Sequence, residues 1–458
     1  MKTRKWFTSI LSVFLLTGLL AACGGGNNAG GGNAADGGNA ADSGAATNQS
    51  AGNPGNAGNA AADNAGGTKE LSGKLVIWTY FDQVEQMAAK FMEKNPGVTI
   101  DVQVFPGDQY ETKLMSALQS GKNVPDIIDL DRGYIGKYLD TEYLADLSAM
   151  GGEELVADYL PYVEAYGRSS DGKLKAISDN SSPGGFWYIR DVAKQYLGTD
   201  NPDEISAMVD SWDKVIELGK KVYEQSGGKV RLIQSASSLF DIAAYNTETW
   251  VKDGKLTIDT KWQETYETQL EMRASNVDAK LPFMSAGWGN ALNDGSVVLT
   301  AMPSWAVFMV DNKDGAAKGK FGVAKTPEGF VLGGRYEAIY EKSPNKELAF
   351  EVMKFIASPE WQEQNLAATG NMPGNNKVFE NLQDTFKSDL FGDQLILKVY
   401  AESMQSMPPL QANKYNETIL SKWGKVAGEG LDNNTKYEDV VAQFKKEVKN
   451  AFPEINVD

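Results

Sequence analysis

The chain has 458 residues, a formal net charge of −17, one cysteine and no histidine. Without histidine there can be no Ser-His-Asp triad, no HExxH zinc site and no histidine general base, and one cysteine cannot close an internal disulfide. So acidic a surface argues against nucleic acid or an anionic membrane face as a partner.

At the start, Lys2, Arg4 and Lys5 precede an apolar stretch over 6–20. This has the length and place of a secretory leader and is too short for a comfortable membrane span. Leu20-Ala21-Ala22-Cys23 resembles the lipobox of bacterial lipoproteins. That resemblance implies that 1–22 is a signal peptide and that Cys23 becomes the lipidated first residue. An ordinary leader cut at an Ala-x-Ala-like site, with Cys23 incidental, is the competing reading. Residues 24–68 hold no Lys, Arg or aromatic side chain, and GGNAAD occurs twice in tandem at 31–36 and 37–42. Such a tract cannot bury apolar surface, so 23–70 reads as a disordered tether with a span of roughly 35–40 Å.

Folded structure begins near Leu71. Residues 74–79 read as a buried strand that presents Tyr80, Phe81 and Asp82 at its carboxyl end. Val84, Met87, Ala88, Phe91 and Met92 follow a helical stripe, which Asn95-Pro96-Gly97 stops. A second strand over 98–104, a helix over 110–119 and a third strand over 125–130 complete a β-α-β-α-β run, which predicts a mostly parallel sheet. Hairpin turns are expected at 171–174 and 253–256 from the two Asp-Gly-Lys-Leu repeats. Residues 179–185 form a polar loop before an apolar-aromatic strand at 186–189. Ser343-Pro344 and Ser358-Pro359 predict two helix starts. Helices are expected over 395–404, 416–430 and 437–452.

In open α/β sheets, ligands sit beyond the carboxyl ends of the strands. The residues expected there are Tyr80, Phe81, Asp82, Asp131 and Arg132. Aromatic faces beside carboxylates and a guanidinium suit a sugar, whose C–H faces stack while its hydroxyls hydrogen-bond. Asp129-Leu130-Asp131 begins like a calcium loop, but Tyr134 stands where glycine is required, and no cofactor or metal is expected.

Taken in order, GKLVIW (73–78), KNPGVTI (94–100), GKNVPDIIDLD (121–131), LNDGSVVLTAMPSW (292–305) and SPNKELAFEVMKFIASPEWQ (343–362) are similar to segments of the extracellular solute-binding proteins of ABC importers, maltose and multiple-sugar type. The resemblance implies an α/β, two-lobed periplasmic-binding-protein-like fold (type II) with a hinge and an interlobe ligand cleft. Carried over, one lobe comprises 71–178 plus 335–388 and the other 179–334 plus 389–458. It also implies a non-enzymatic receptor, a monomer held at the outer face of the cytoplasmic membrane through its lipid anchor alone. The receptor would deliver a carbohydrate to the importer's permease subunits.

Among candidate ligand contacts, Asp131 leads, because the family often places a carboxylate after this strand. Trp305 matches a position where an aromatic stacks on sugar, and Trp288 and Tyr80 are further aromatic candidates. Asp179 and Asn180 stand at the first crossing between lobes, and Gly333-Gly334-Arg335-Tyr336 at the return. Trp187, Trp250 and Trp361 are expected to pack in the core. The abundance of tryptophan favours an oligosaccharide over a monosaccharide. Leu130 is aliphatic where the maltose-type relative has an aromatic, so that relative's specificity does not carry over. Two other functions are compatible with the composition. One is a binding protein for a cationic solute such as a polyamine, which also favours aromatic boxes with carboxylates. The other is a glycosidase using two carboxylates, although no pair stands out from its surroundings.

Overall fold

The structure, a computed structural model, describes residues 70–310, 315–405 and 407–458. The leader, Cys23 and the tether up to residue 69 lie outside them. The first three strands are β1 (Ser72–Thr79), β2 (Gly97–Val104) and β3 (Ile127–Asp131). They form where β-branched and aliphatic residues run together, and Leu75, Ile77, Ile127 and Ile128 are buried. β1 pairs in parallel with both neighbours, Leu75 opposite Ile100 and Trp78 opposite Ile128. The intervening helices, Gln83–Lys94 and Gly107–Ser120, bury the stripes Val84/Met87/Ala88/Phe91 and Tyr110/Leu114/Ala117/Leu118. Gly121, at φ 64°, ends the second of them in a left-handed cap.

After β4 (Ala176–Ile177) the chain leaves this sheet and builds a second one. This uses β5 (Gly184–Ile189) and β6 (Arg231–Ile233). A small hairpin of β7 (Val251–Lys252) and β8 (Lys255–Leu256) precedes β9 (Val297–Pro303) and β10 (Phe321–Ala324). The chain then returns as β11 (Arg335–Ile339) and inserts between β3 and β4. The sheets have orders β2-β1-β3-β11-β4 and β10-β5-β9-β6, and Glu70–Asp458 forms one compact unit around them.

Three sequence expectations need correction. The sheets are mixed rather than mostly parallel, because β11 runs antiparallel to β3 and β4, and β5 antiparallel to β9 and β10. Direction was hidden because these partners arrive by long crossings that no local pattern encodes. The turn at 171–174 closes a single bridge between Arg168 and Leu174 rather than a strand pair. Ser343 does not cap a helix: the helix starts at Lys346, and the Ser343 hydroxyl donates to Asp126 at 2.5 Å.

Ser358 does cap its helix, Pro359–Thr369, with Oγ accepting from the Trp361 N–H at 3.2 Å. Ser358→Ala is therefore expected to cost about 1 kcal/mol, read as a lowered chemical-denaturation midpoint with an unchanged slope.

The largest apolar cluster is shared by the two sheets, running from Leu75, Ile77 and Val98 through Tyr162 and Met372 to Trp187, Phe321 and Tyr400. A separate cluster holds Trp250, Trp262 and Trp423 against Phe444, with Trp250 and Trp262 stacked at 4.7 Å. Most of the tryptophan is thus structural: Trp78, Trp187, Trp250, Trp262, Trp288, Trp361 and Trp423 are all buried. The richness in tryptophan therefore says little about ligand length.

Candidate functional site

Asp131 ends β3 at the sheet's carboxyl edge and is half-buried. One carboxylate oxygen accepts from the Tyr80 hydroxyl at 2.8 Å, the other from the Gly133 N–H at 2.7 Å. Burial raises its pKa, and these two hydrogen bonds oppose the rise. Tyr80, just past β1, lies against Phe81 and Tyr110 with ring centroids 4.4 and 5.3 Å away. Asp82 is exposed beside Phe81 and makes no capping hydrogen bond to the helix it precedes.

Arg132 turns inward. Its guanidinium lies 3.5 Å above the Tyr166 ring and 5.0 Å from Tyr245, and its Nε has no hydrogen-bond partner among the described residues. Tyr166 in turn donates to Glu417 at 2.9 Å. The Arg132 backbone N–H donates to the Gly334 carbonyl at 2.9 Å, which ties the end of β3 to the return crossing.

Gly333 and Gly334 adopt φ of 73° and 118°, values that side chains oppose. They also leave no slack. A Cβ on Gly333 would lie 3.3 Å from Trp305 Nε1, and one on Gly334 would lie 3.4 Å from the Ser182 hydroxyl and 3.6 Å from Asn180 Oδ1. Asn180 is buried and accepts from Ser182 at 2.7 Å. Trp305 is half-buried, donates from Nε1 to the Leu332 carbonyl at 2.6 Å and stacks on Phe308, with an interplanar angle of 19°. Phe308 is 67% exposed. One continuous seam therefore runs from Phe81 and Tyr80 through Asp131, Arg132 and the two glycines to Trp305 and Phe308, with Asn180 beneath it.

Three candidates do not join this seam. Arg335 is 4% exposed, at the start of β11 and opposite Asp131. Its guanidinium meets Asp179 at 3.1 and 3.2 Å, Glu337 at 2.5 Å and Asp129 at 3.6 Å. Burial pushes Asp129 up to about 6 and Glu337 well above the usual carboxylate range, with Arg335 pulling both back. This buried cation balances the carboxylates around it. Tyr336 is buried and donates to the Val163 carbonyl at 3.0 Å. Trp288 is buried too, with Phe283 edge-on at 5.0 Å, so Phe283 rather than Trp288 offers the open ring. β11 is buried at all five positions because it has neighbours on both sides, and a charged pattern gives no hint of that.

The sequence reading missed a recess of about 120 Å³ past the carboxyl end of β6, lined by Gln234, Ser235, Ser237, Ser238 and Asp241, with Phe283, Phe330 and Leu332 across from them. The strand-end rule applied to 231–233 would have found it, since Gln-Ser-Ala-Ser-Ser follows directly. Asp241 is pushed up to about 7, first by burial and then by the charge of Glu417. The recess adjoins the seam through Leu332, whose carbonyl holds Trp305.

Two α/β halves that meet along a seam of open rings and carboxylates define a two-lobed binding-protein fold. The chain belongs to the bacterial extracellular solute-binding proteins, whose family pattern it matches over residues 86–391. It is 26% identical over 351 residues to an arabinooligosaccharide-binding protein of Bacillus subtilis, covering 70% of this chain and 75% of that one. It is 21% identical over 364 residues to a lactose-binding protein of Rhizobium radiobacter, covering 74% and 84%. The fold superposes on a family 1 extracellular solute-binding protein with a TM-score of 0.73 at 19% identity, covering 82% of this chain and 99% of that one. A Bifidobacterium animalis subsp. lactis binding protein in complex with β-1,6-galactobiose gives a TM-score of 0.65 at 20% identity, covering 84% and 98%. Among the described residues no helix is long and apolar enough to cross a membrane.

Proposed function

We propose that the protein is a receptor that captures an oligosaccharide between its two lobes and delivers it to the permease subunits of an ABC importer, binding without chemical change. The observation that carries this reading is the pairing of a half-open Trp305–Phe308 stack with the Tyr80–Asp131 hydrogen bond along one seam. Aromatic planes take the C–H faces of sugar rings, while a carboxylate already holding one hydroxyl is placed to accept more. Relatives named for arabinooligosaccharide and lactose support the same ligand class. In this reading 71–178 plus 335–388 and 179–334 plus 389–458 are the lobes, which close by the hinge motion of binding proteins. Cys23 carries the lipid that holds the receptor outside the cytoplasmic membrane.

Calorimetric titration against neutral mono- and oligosaccharides, with spermidine included, tests it. The expected result is a sugar Kd of about 1 μM or tighter, insensitive to salt, with no product formed on standing. Asp131→Ala should weaken that binding more than about tenfold, a typical loss for a buried carboxylate acceptor. A salt-sensitive response to spermidine alone would overturn the ligand class.

A further inference from the structure

We propose that the recess beside Asp241 takes the end unit of the ligand and that Asp241 selects for an uncharged end, turning away sugars that terminate in a carboxylate. This deepens the oligosaccharide reading and rests on it.

The recess has two unlike walls. Pro282, Phe283, Phe330 and Leu332 make one apolar. The other is polar, and several of its groups lack partners among the described residues. Gln234 is 2% exposed, and its carbonyl accepts from the Ala301 N–H at 3.2 Å, but its amide N–H groups meet nothing. The Ser235 oxygen accepts from the Ser237 N–H at 3.2 Å, while its own proton is not given to any acceptor. The Asp241 carboxylate has no hydrogen bond and no ion pair. The Gln234 amide nitrogen and the Asp241 carboxylate keep contact with solvent at the recess, so a guest that enters must replace that water with hydrogen-bonding groups of its own. A ring with one C–H face and a hydroxyl rim does so, meeting the apolar wall on one side and Gln234, Ser235 and Asp241 on the other.

Charge narrows the choice. No cation lines the recess. The charge of Glu417 acts on Asp241, Arg132 is laid on Tyr166 and faces Tyr245, and behind the 234–238 loop Asp278 accepts from the Ala236 N–H and pairs with Arg273 at 3.3 Å. A sugar hydroxyl donates to Asp241 without penalty. Above pH 7, where Asp241 is ionised, a uronate would bring its carboxylate against that of Asp241 with no cation lining the recess to receive it, and like charges forced together select against the wrong ligand.

The experiment, at pH 8.5 so that Asp241 is ionised, titrates the full chain with a neutral oligosaccharide that it binds and with the same oligosaccharide ending in a uronic acid. Both titrations are repeated on Asp241→Asn and on Phe283→Ala. In the wild type the acidic ligand should bind at least about 100-fold more weakly. Asp241→Asn keeps the side chain's shape and removes only its charge. It should lose about tenfold on the neutral sugar and narrow the gap to about tenfold or less. Phe283→Ala should weaken both ligands alike and leave the gap unchanged. A wild type that binds the neutral sugar while Asp241→Asn leaves the gap intact overturns this inference and spares the receptor reading. A wild type that binds no sugar overturns the receptor reading itself.

Discussion

Arg335→Met is expected to lower stability by about 3–5 kcal/mol at pH 7.5, because it strands buried carboxylates that now lack a counter-charge. Asp129, Asp179 and Glu337 all face this guanidinium and are buried with it. The sign of the pH dependence follows from the direction of the shifts at Asp129 and Glu337. Burial raises Asp129 to about 6 in the folded chain, against a usual value of 3.8, and raises Glu337 as well, while Arg335 lowers both. A carboxyl whose pKa is higher in the folded state holds its proton more tightly there. It therefore costs stability as pH rises from its unfolded value through its folded one. Without Arg335 both folded values climb further, so the loss deepens with pH. The variant should lie close to the wild type near pH 4.5 and melt lower near pH 7.5, by about 5 °C for a chain of this size. Equal thermal midpoints at both pH values would show that Arg335 does not offset these acids.

Trp305→Ala carries the larger effect on binding. Its ring, backed by Phe308, is the widest half-open aromatic face on the seam. Truncating an aromatic anchor of this kind costs about 2–4 kcal/mol, roughly a hundredfold in Kd. Trp305→Phe separates stacking from anchoring. It keeps a ring but removes the N–H that holds Leu332 at 2.6 Å, next to the strained Gly333. An intermediate loss is expected from it, with the thermal midpoint lowered in both variants. Unchanged calorimetric affinity in Trp305→Ala would take the stack out of the site.

The first half of the first sheet could be read from the chain because each strand is a short buried run and each helix a periodic stripe, as at Ile77, Ile127 and the Val84–Phe91 face. The placing of Tyr80 and Asp131 at the carboxyl ends of β1 and β3 followed from one rule about strand ends, while the hydrogen bond between them did not. What stayed hidden depends on partners far away in sequence. Nothing near Arg335 signals that Asp129 and Asp179 converge on it, and Arg-Tyr-Glu looks like a cleft motif for that reason. Ser343 looks like a cap until Asp126 is seen to claim its hydroxyl. Asp241 was passed over because an acid within an apolar helical run reads as its solvated face, and only the recess beside it shows otherwise.

The insertion of β11 between β3 and β4 sets an order of assembly. While the chain is being made, β3 has β1 on one side and nothing on the other until 335–339 emerges, and β4 has no strand partner at all. Unpaired strand edges of this kind are templates for aggregation. The second sheet is no more self-sufficient, since Trp187 in β5 hydrogen-bonds Tyr400 and packs on Phe391, both made later still. Neither half can finish before the other's late segments arrive, so non-local folding is expected, and fragments ending before residue 335 are expected to collect as insoluble material.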